Sequence, residues 1–187
     1  TEGLLPDSVT YICTLQACGT MGSLHEGKLI HDAIADKGFL GKDVVLGTAL
    51  LDMYVKCGSL ASAQQVFDEV FLRDVVLWNA LIAGYAQLGQ GDEALKFFDL
   101  MQIEGLPSDA ITYGCMLKAC GTIGAIHKGT QIHDEILAKK LLGDDIMLST
   151  TLVDMYAKCG IMEKAEQMFR EISDHDRAAW NSLIVGY

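Results

Sequence analysis

The sequence predicts an all-α fold, a solenoid of antiparallel helix-turn-helix repeats, on three observations. The stretch LLDMYVKCGSLASAQQVFDEV at 50–70 returns as TLVDMYAKCGIMEKAEQMFREI at 151–172. Within the earlier copy, Ala49, Leu50, Met53, Tyr54 and Cys57 recur at helical spacing, and after a Cys-Gly break Leu60, Ala63, Val66, Phe67 and Val70 do so again. Pro is confined to Pro6 and Pro107, while Ala, Leu and Met are plentiful. One such hairpin cannot cover its own apolar face, so a repeated hairpin implies stacking on neighbours.

A longer period organises the whole chain. Tyr11 and Tyr113, Cys18 and Cys120, His25 and His127, Cys57 and Cys159, and Trp78 and Trp180 are each 102 residues apart. Residues 1–7 read as the tail of a hairpin, because TEGLLPD matches IEGLPSD at 103–109. Residues 8–43 predict a helix over about 9–17, a glycine break, and a second helix over about 24–37. Residues 44–74 hold the founding hairpin, with Gly58 placed for a left-handed helix end, as Gly160 is in the later copy. Residues 75–109 give VVLWNALIAGYAQLGQ followed by GDEALKFFDLMQIEG. Residues 110–145 then repeat the first unit, 146–176 the second, and 177–187 begin the third again. The units are thus 36, 31 and 35 residues long, and Asp7, Asp43, Asp74, Asp109, Asp145 and Asp176 close them. Asp immediately before a helix caps free backbone N–H groups, so structure alone accounts for these carboxylates.

Composition narrows the function classes. Half of the residues are apolar, enough for a packed core, yet no apolar run approaches the roughly 20 residues of a membrane span. The chain opens and stops in mid-pattern without a start Met or a basic-then-apolar leader, and reads as part of a longer array whose targeting segment lies elsewhere. Its six Cys fall at repeat-equivalent helix positions, which favours reduced packing thiols over a disulfide scaffold. The formal charge of −11 argues against a bulk electrostatic binder of nucleic acid. Acidic residues gather in the second helices, as Asp68, Glu69, Asp92, Glu93, Glu163 and Glu166, and are expected to face outward.

Three hairpin lengths in fixed rotation resemble the PLS subclass of pentatricopeptide repeat proteins, and the resemblance covers the whole chain. Residues 75–109 are similar to the P type, AITYGCMLKACGTIGAIHKGTQIHDEIL to the L type, and TTLVDMYAKCGIMEKAEQMF to the S type. Tetratricopeptide repeats are the nearest rival, but their Trp, Leu-Gly and Pro-ended markers are missing. The resemblance implies a right-handed superhelix whose first helices line an inner groove and bind single-stranded RNA, one base per unit. In the family the second residue of each unit sandwiches a base, and the fifth and last touch its edge. The implied stacking residues are Val45, Val76, Met147 and Ala178. The implied readers are Thr48 with Asp74, Asn79 with Asp109, Thr150 with Asp176, and Asn181, whose closing partner would lie past residue 187.

By resemblance, Thr with Asp favours G and Asn with Asp favours U. Thr48, Asn79 and Thr150 are expected along one open inner wall. Asn79 is a polar amide where the apolar run 75–82 calls for a core residue, and its carboxamide both donates and accepts. Helix capping near a unit start is the structural alternative for Thr48 and Asn79. The L-type units carry Ile12 and Gly114 at the fifth position and make no directed hydrogen bond there. The implied target, 5′ to 3′, is any–G–U–any–G–pyrimidine. Lys56 and Lys158 end the first helices of the S-type units and are candidates for phosphate contacts, a modest contribution against the acidic field.

Other motifs carry less. His133-Asp134-Glu135 fits half of a zinc deaminase signature, but no P-C-x-x-C follows and the counterpart His31-Asp32-Ala33 lacks the Glu. Cys13, Cys18, His25 and His31 recur as Cys115, Cys120, His127 and His133 without tight C-x-x-C pairs, which favours helix packing over zinc. Gly89-Gln90-Gly91-Asp92-Glu93-Ala94 follows a helix rather than a strand, so it is a hairpin turn, not a dinucleotide site. Trp78 and Tyr85 are read as core residues. No cofactor and no catalytic residue is expected in the chain itself. The leading expectation is a site-recognition factor for C-to-U RNA editing in a plant mitochondrion or chloroplast. Multiple organellar RNA editing factors would dock on the L-type units 8–43 and 110–145, and a deaminase would act in cis or in trans. The alternative is a protein-binding scaffold for a basic partner.

Overall fold

The computed structural model describes residues 6–40, 42–142, 146–172 and 177–187, and its regular elements are all α-helices among those residues. In the first unit, through Gly84, α1 (Ser8–Met21) and α2 (Leu24–Asp36) form one hairpin, α3 (Val44–Lys56) and α4 (Leu60–Glu69) the next, and α5 (Val75–Gln87) begins. In the second unit, from Tyr85, α6 (Gly91–Ile103) precedes the hairpins α7 (Ala110–Ile123)–α8 (Ile126–Ala138) and α9 (Ile146–Lys158)–α10 (Met162–Glu171), and α11 (Arg177–Gly186) follows. Helix α1 is longer than expected at its C-terminal end. Cys18 and Gly19 stay helical because Gly22, at φ 67°, is the residue that turns the chain.

First helices α3 and α9 pack on helices of neighbouring hairpins as well as on their own partners. Helix α3 packs on α1 and on α4, and α9 packs on α7, α10 and α11. Consecutive Leu50 and Leu51 are both fully buried as a result, as are Leu152 and Val153. Such a helix is apolar nearly all round, whereas the second helices have one apolar face. In α10, Ala165, Met168 and Phe169 turn inward, and Arg170 meets Glu166 at 2.6 Å on the outer side. Asp68, Asp92 and Glu163 are exposed, as the outward placement of the acidic residues requires.

The joints are built alike in both copies. Gly58 and Gly160 adopt φ of 75° and 76°, and the following residues donate back across the helix end, Ser59 N–H to Tyr54 O at 2.8 Å and Ile161 N–H to Tyr156 O at 2.9 Å. This satisfies carbonyls that the helix would otherwise leave free. At the other end, Asp7, Asp43, Asp74 and Asp109 each accept a backbone N–H at 2.8–3.0 Å, three residues on. The capping role read from the sequence is therefore observed at these four, while Asp145 and Asp176 lie outside the described residues.

Of the repeated His and Cys, His31 and His133 with Cys57 and Cys159 act in packing, whereas Cys13, His25 and His127 are exposed. His31 Nδ1 lies 2.8 Å from the Tyr54 hydroxyl and His133 Nδ1 2.9 Å from that of Tyr156, tying α2 to α3 and α8 to α9. The Cys57 and Cys159 thiols face the carbonyls of Cys18 and Cys120 at 4.0 and 3.8 Å. Burial pushes the Cys120 thiol up to about 12. Trp78 is buried edge-on against Phe67, with ring centroids 4.7 Å apart, and Tyr85 is buried as well.

Three outcomes test this packing. Leu152→Ala deletes a fully buried side chain between three helices and should destabilise the protein by about 2–5 kcal/mol, read from urea midpoints. Asp74→Ala removes a cap and should cost roughly 1 kcal/mol, whereas Asp74→Asn, which caps as well, should cost little. Burial holds the His133 imidazole below its usual value, so the unfolded chain binds the proton more readily. Stability from this group is full above about 6.5 and should be lost as pH falls below that value toward the folded-state midpoint, with an NMR titration placing that midpoint low.

Candidate nucleic-acid interface

The second and fifth residues of a unit are three apart, so a helix places them on one face, one turn from each other. In α3 these are Val45 and Thr48, and at the start of α5 the corresponding second residue is Val76. Val45 and Val76 stand out from the surface at 66% and 61% exposure. Between them lies a cavity of about 360 Å³, lined also by Thr48 and Asp74, with Ile12 and Gln16 contributed by α1. Four residues singled out in the sequence thus converge on one hollow.

The second unit repeats the arrangement. A cavity of about 640 Å³ is lined by Met147 and Thr150 of α9 and Ala178 of α11, and by Lys118 of α7. Met147 is 77% exposed. Each of these residues sits 102 positions after its counterpart, so Lys118 stands where the first cavity has Gln16, and Ala178 where it has Val76. Asp176, the counterpart of Asp74, lies outside the described residues.

The hydrogen bonds at the two floors differ. Thr48 Oγ1 donates to the Val44 carbonyl at 2.8 Å, which leaves its lone pairs available to accept. Thr150 Oγ1 is buried with no hydrogen-bond partner among the described residues, while the adjacent Thr151 donates to the Met147 carbonyl at 2.7 Å. Asp74 gives one carboxylate oxygen to the Leu77 N–H, and the side chain remains exposed.

The expectation of an open wall needs correction. Thr48 is half-buried, but Thr150 and Asn79 are 8% and 7% exposed. For Thr150 the cause is the packing of α7 and α11 on both flanks of α9: the second residue rides on the crest and the fifth sits one turn below it. Asn79 shares its part of α5 with buried Leu77, Trp78 and Ile82. Asp109 is exposed at the start of α7, where it forms a capping box with Thr112, and Asn181 and Ala178 are exposed on α11.

The two lysines are not isolated cations. Lys56 is held by Asp52 at 2.6 Å and Lys158 by Asp154 at 2.7 Å, each carboxylate one turn earlier on the same helix. Their stems lie over Gly19 and Gly121 of the preceding first helices, where an added Cβ would come within 3.1 and 3.3 Å of the stem. Both pairs are solvent-accessible, so they hold the ammonium groups loosely. The Asp-x-x-x-Lys spacing that produces them is plain in the sequence. Gln16 and Lys118 gave no comparable signal, because only the packing of α1 on α3 and of α7 on α9 brings them to the hollows.

Known proteins share this construction. The PPR repeat family matches residues 73–122, and the PPR repeat matches 48–75 and 149–176. A pentatricopeptide repeat-containing protein of Arabidopsis thaliana is 37% identical over 181 residues, covering 97% of this chain and 30% of its own length. A second from that plant, described as mitochondrial, is 35% identical over 181 residues, covering 97% and 32%. The chain thus spans about a third of the length of these relatives. Among solved structures, maize PPR10 in complex with an 18-nt psaJ RNA element matches 98% of this chain and 28% of its own, at TM-score 0.81 and 24% identity. Another crystal structure of PPR10 from maize matches 97% of this chain and 27% of its own, at TM-score 0.68 and 24% identity. Two-helix units, their rotation of lengths and these matches lead to one conclusion: the chain belongs to the pentatricopeptide repeat family.

Proposed function

We propose that the chain binds single-stranded RNA selectively by sequence, one base per hairpin. The observation that carries this reading is the recurrence of one cavity at an interval of 102 residues, walled by Val45 and Val76 in one copy and by Met147 and Ala178 in the other. Apolar walls suit the two faces of a base, and stacking of this kind is worth about 1–3 kcal/mol per base. A hydroxyl and a carboxylate meet the edge in the first cavity. Asp74, acceptor-only when ionised, complements the N1–H and N2–H₂ donors of guanine. In the second, the unsatisfied Thr150 hydroxyl would gain a partner from a bound base, and leaving such a group unpaired costs about 1–3 kcal/mol. That maize PPR10 is seen with an RNA element supports the same reading.

The finer reading assigns units 8–43 and 110–145 to the L type, 44–74 and 146–176 to the S type, and 75–109 and 177–187 to the P type. Thr48 with Asp74 and Thr150 with Asp176 then read G, and Asn79 with Asp109 reads U, as Asn181 would at the sixth position. Lys56 and Lys158 exchange their carboxylates for phosphates. On this reading the parent protein is a recognition factor for C-to-U editing in a plant mitochondrion or chloroplast. Multiple organellar RNA editing factors sit on the L-type units, and a deaminase acts in cis or in trans.

A second reading, a scaffold for a basic protein, is favoured by the charge of −11 and by the engagement of Lys56 and Lys158 with carboxylates. Oligonucleotides carrying G-U-any-G and scrambled controls separate the two, assayed at low and moderate salt. RNA recognition predicts that Asn79→Thr moves preference at one base from U toward G. Asp74→Asn, which keeps the cap, should weaken the first G preference several-fold. Equal affinity for every sequence, or none, supports the scaffold.

A further inference from the structure

A third cavity, of about 150 Å³, lies between α7 and α9 in the second unit. Ile111 and Met147 flank it, and both are exposed, at 65% and 77%. Gly114 and Lys118 of α7 and Thr151 of α9 also line it. These flanking residues are the second residues of units 110–145 and 146–176, so this hollow is the L-type counterpart of the cavities above, and Lys118, Met147 and Thr151 line both it and its neighbour.

The fifth residue of this L-type unit offers no side chain. A Cβ on Gly114 would meet no atom within 4 Å, so the wall is open there. Lys118 is one helical turn further along the same face and lines the space from the side. It is exposed, and no carboxylate pairs with it among the described residues. By contrast, Lys56, Lys128 and Lys158 are each held by an Asp at 2.6–2.9 Å. The first L-type unit has neither feature: Ile12 and Gln16 stand at the equivalent positions.

We propose that Lys118 is a base-reading residue of the second L-type unit, donating to the acceptor edge of a guanine held between Ile111 and Met147. This rests on the RNA-binding reading and extends it to a position that the repeat type alone would leave indifferent. An ammonium group offers three donors and no acceptor. Guanine presents O6 and N7 side by side, a recognised partner for Lys, whereas adenine places an amino donor beside N7. In single-stranded RNA that edge is free to be read.

The test uses the 187-residue chain and six-base RNAs of the form N-G-U-X-G-Y, with X set to each base in turn. The unaltered protein should prefer G over A at X by roughly tenfold. Lys118→Gln, an exposed change whose folding is checked by circular dichroism, should bring the four bases within about twofold of one another. Preference at the first G and at the U, assigned to residues away from both cavities that Lys118 lines, should persist. Equal weakening for all four bases with a shallower salt dependence would make Lys118 a phosphate contact and overturn the proposal. Unchanged affinity would overturn it too. Wild-type selectivity at the other positions but none at X refutes this inference alone, while no selectivity anywhere refutes the RNA reading with it.

Discussion

Two-sided burial of the first helices is the constraint from which the rest follows. Leu50 and Leu51, adjacent in sequence, point in different directions and are both excluded from water, as are Leu152 and Val153. A helix so enclosed keeps only a narrow strip for other uses, and residues three or four apart are the ones that share it. Val45 and Thr48, Met147 and Thr150, and Gly114 and Lys118 all lie on such strips. The same packing that holds the hairpins together therefore sets both the spacing and the depth of anything the strip binds.

Depth is where sequence reasoning fell short. Helical period, the left-handed glycines and the Asp caps were legible because each is a local rule acting within a few residues. Gly58 and Asp74 could be placed without knowing any neighbour. Whether Asn79 or Thr150 reaches solvent depends on what packs beside α5 and α9, and no local pattern encodes that. The hollow-lining roles of Gln16 and Lys118 were hidden for the same reason, since each belongs to one hairpin and faces a cavity completed by the next. The lysine pairs are a different case: Asp52 and Lys56 announce themselves by spacing alone.

The duplication within the chain makes its differences informative. The cap at Asp7 and Asp109, the left-handed turns, the His–Tyr bonds and the thiol contacts are matched between the copies, which marks them as what any hairpin of this design needs. The hollows, in contrast, diverge: Val76 against Ala178, Gln16 against Lys118, Ile12 against Gly114. The second helices vary as well, with Glu26 against Lys128 and Asp68 against Arg170, while the joints beneath are retained.

The acidic charge then bears on how binding would work, not only on whether it occurs. Counterion release scales with the number of phosphates neutralised, and the groove lysines are few and mostly engaged. Affinity would have to come from base stacking against Val45, Val76 and Met147 and from edge contacts in sheltered hollows. Stacking tolerates any base, so discrimination falls to the few polar groups at the floor, and those are worth most where water is excluded. The recessed positions of Thr150 and Asn79, unexpected for side chains on an open wall, favour such discrimination. A hydroxyl or amide at the bottom of an apolar slot penalises a mismatched edge more than one lying in solvent. An acidic exterior adds to selectivity in the same sense, because it weakens the non-specific backbone attraction that every RNA shares and leaves base recognition to decide what binds.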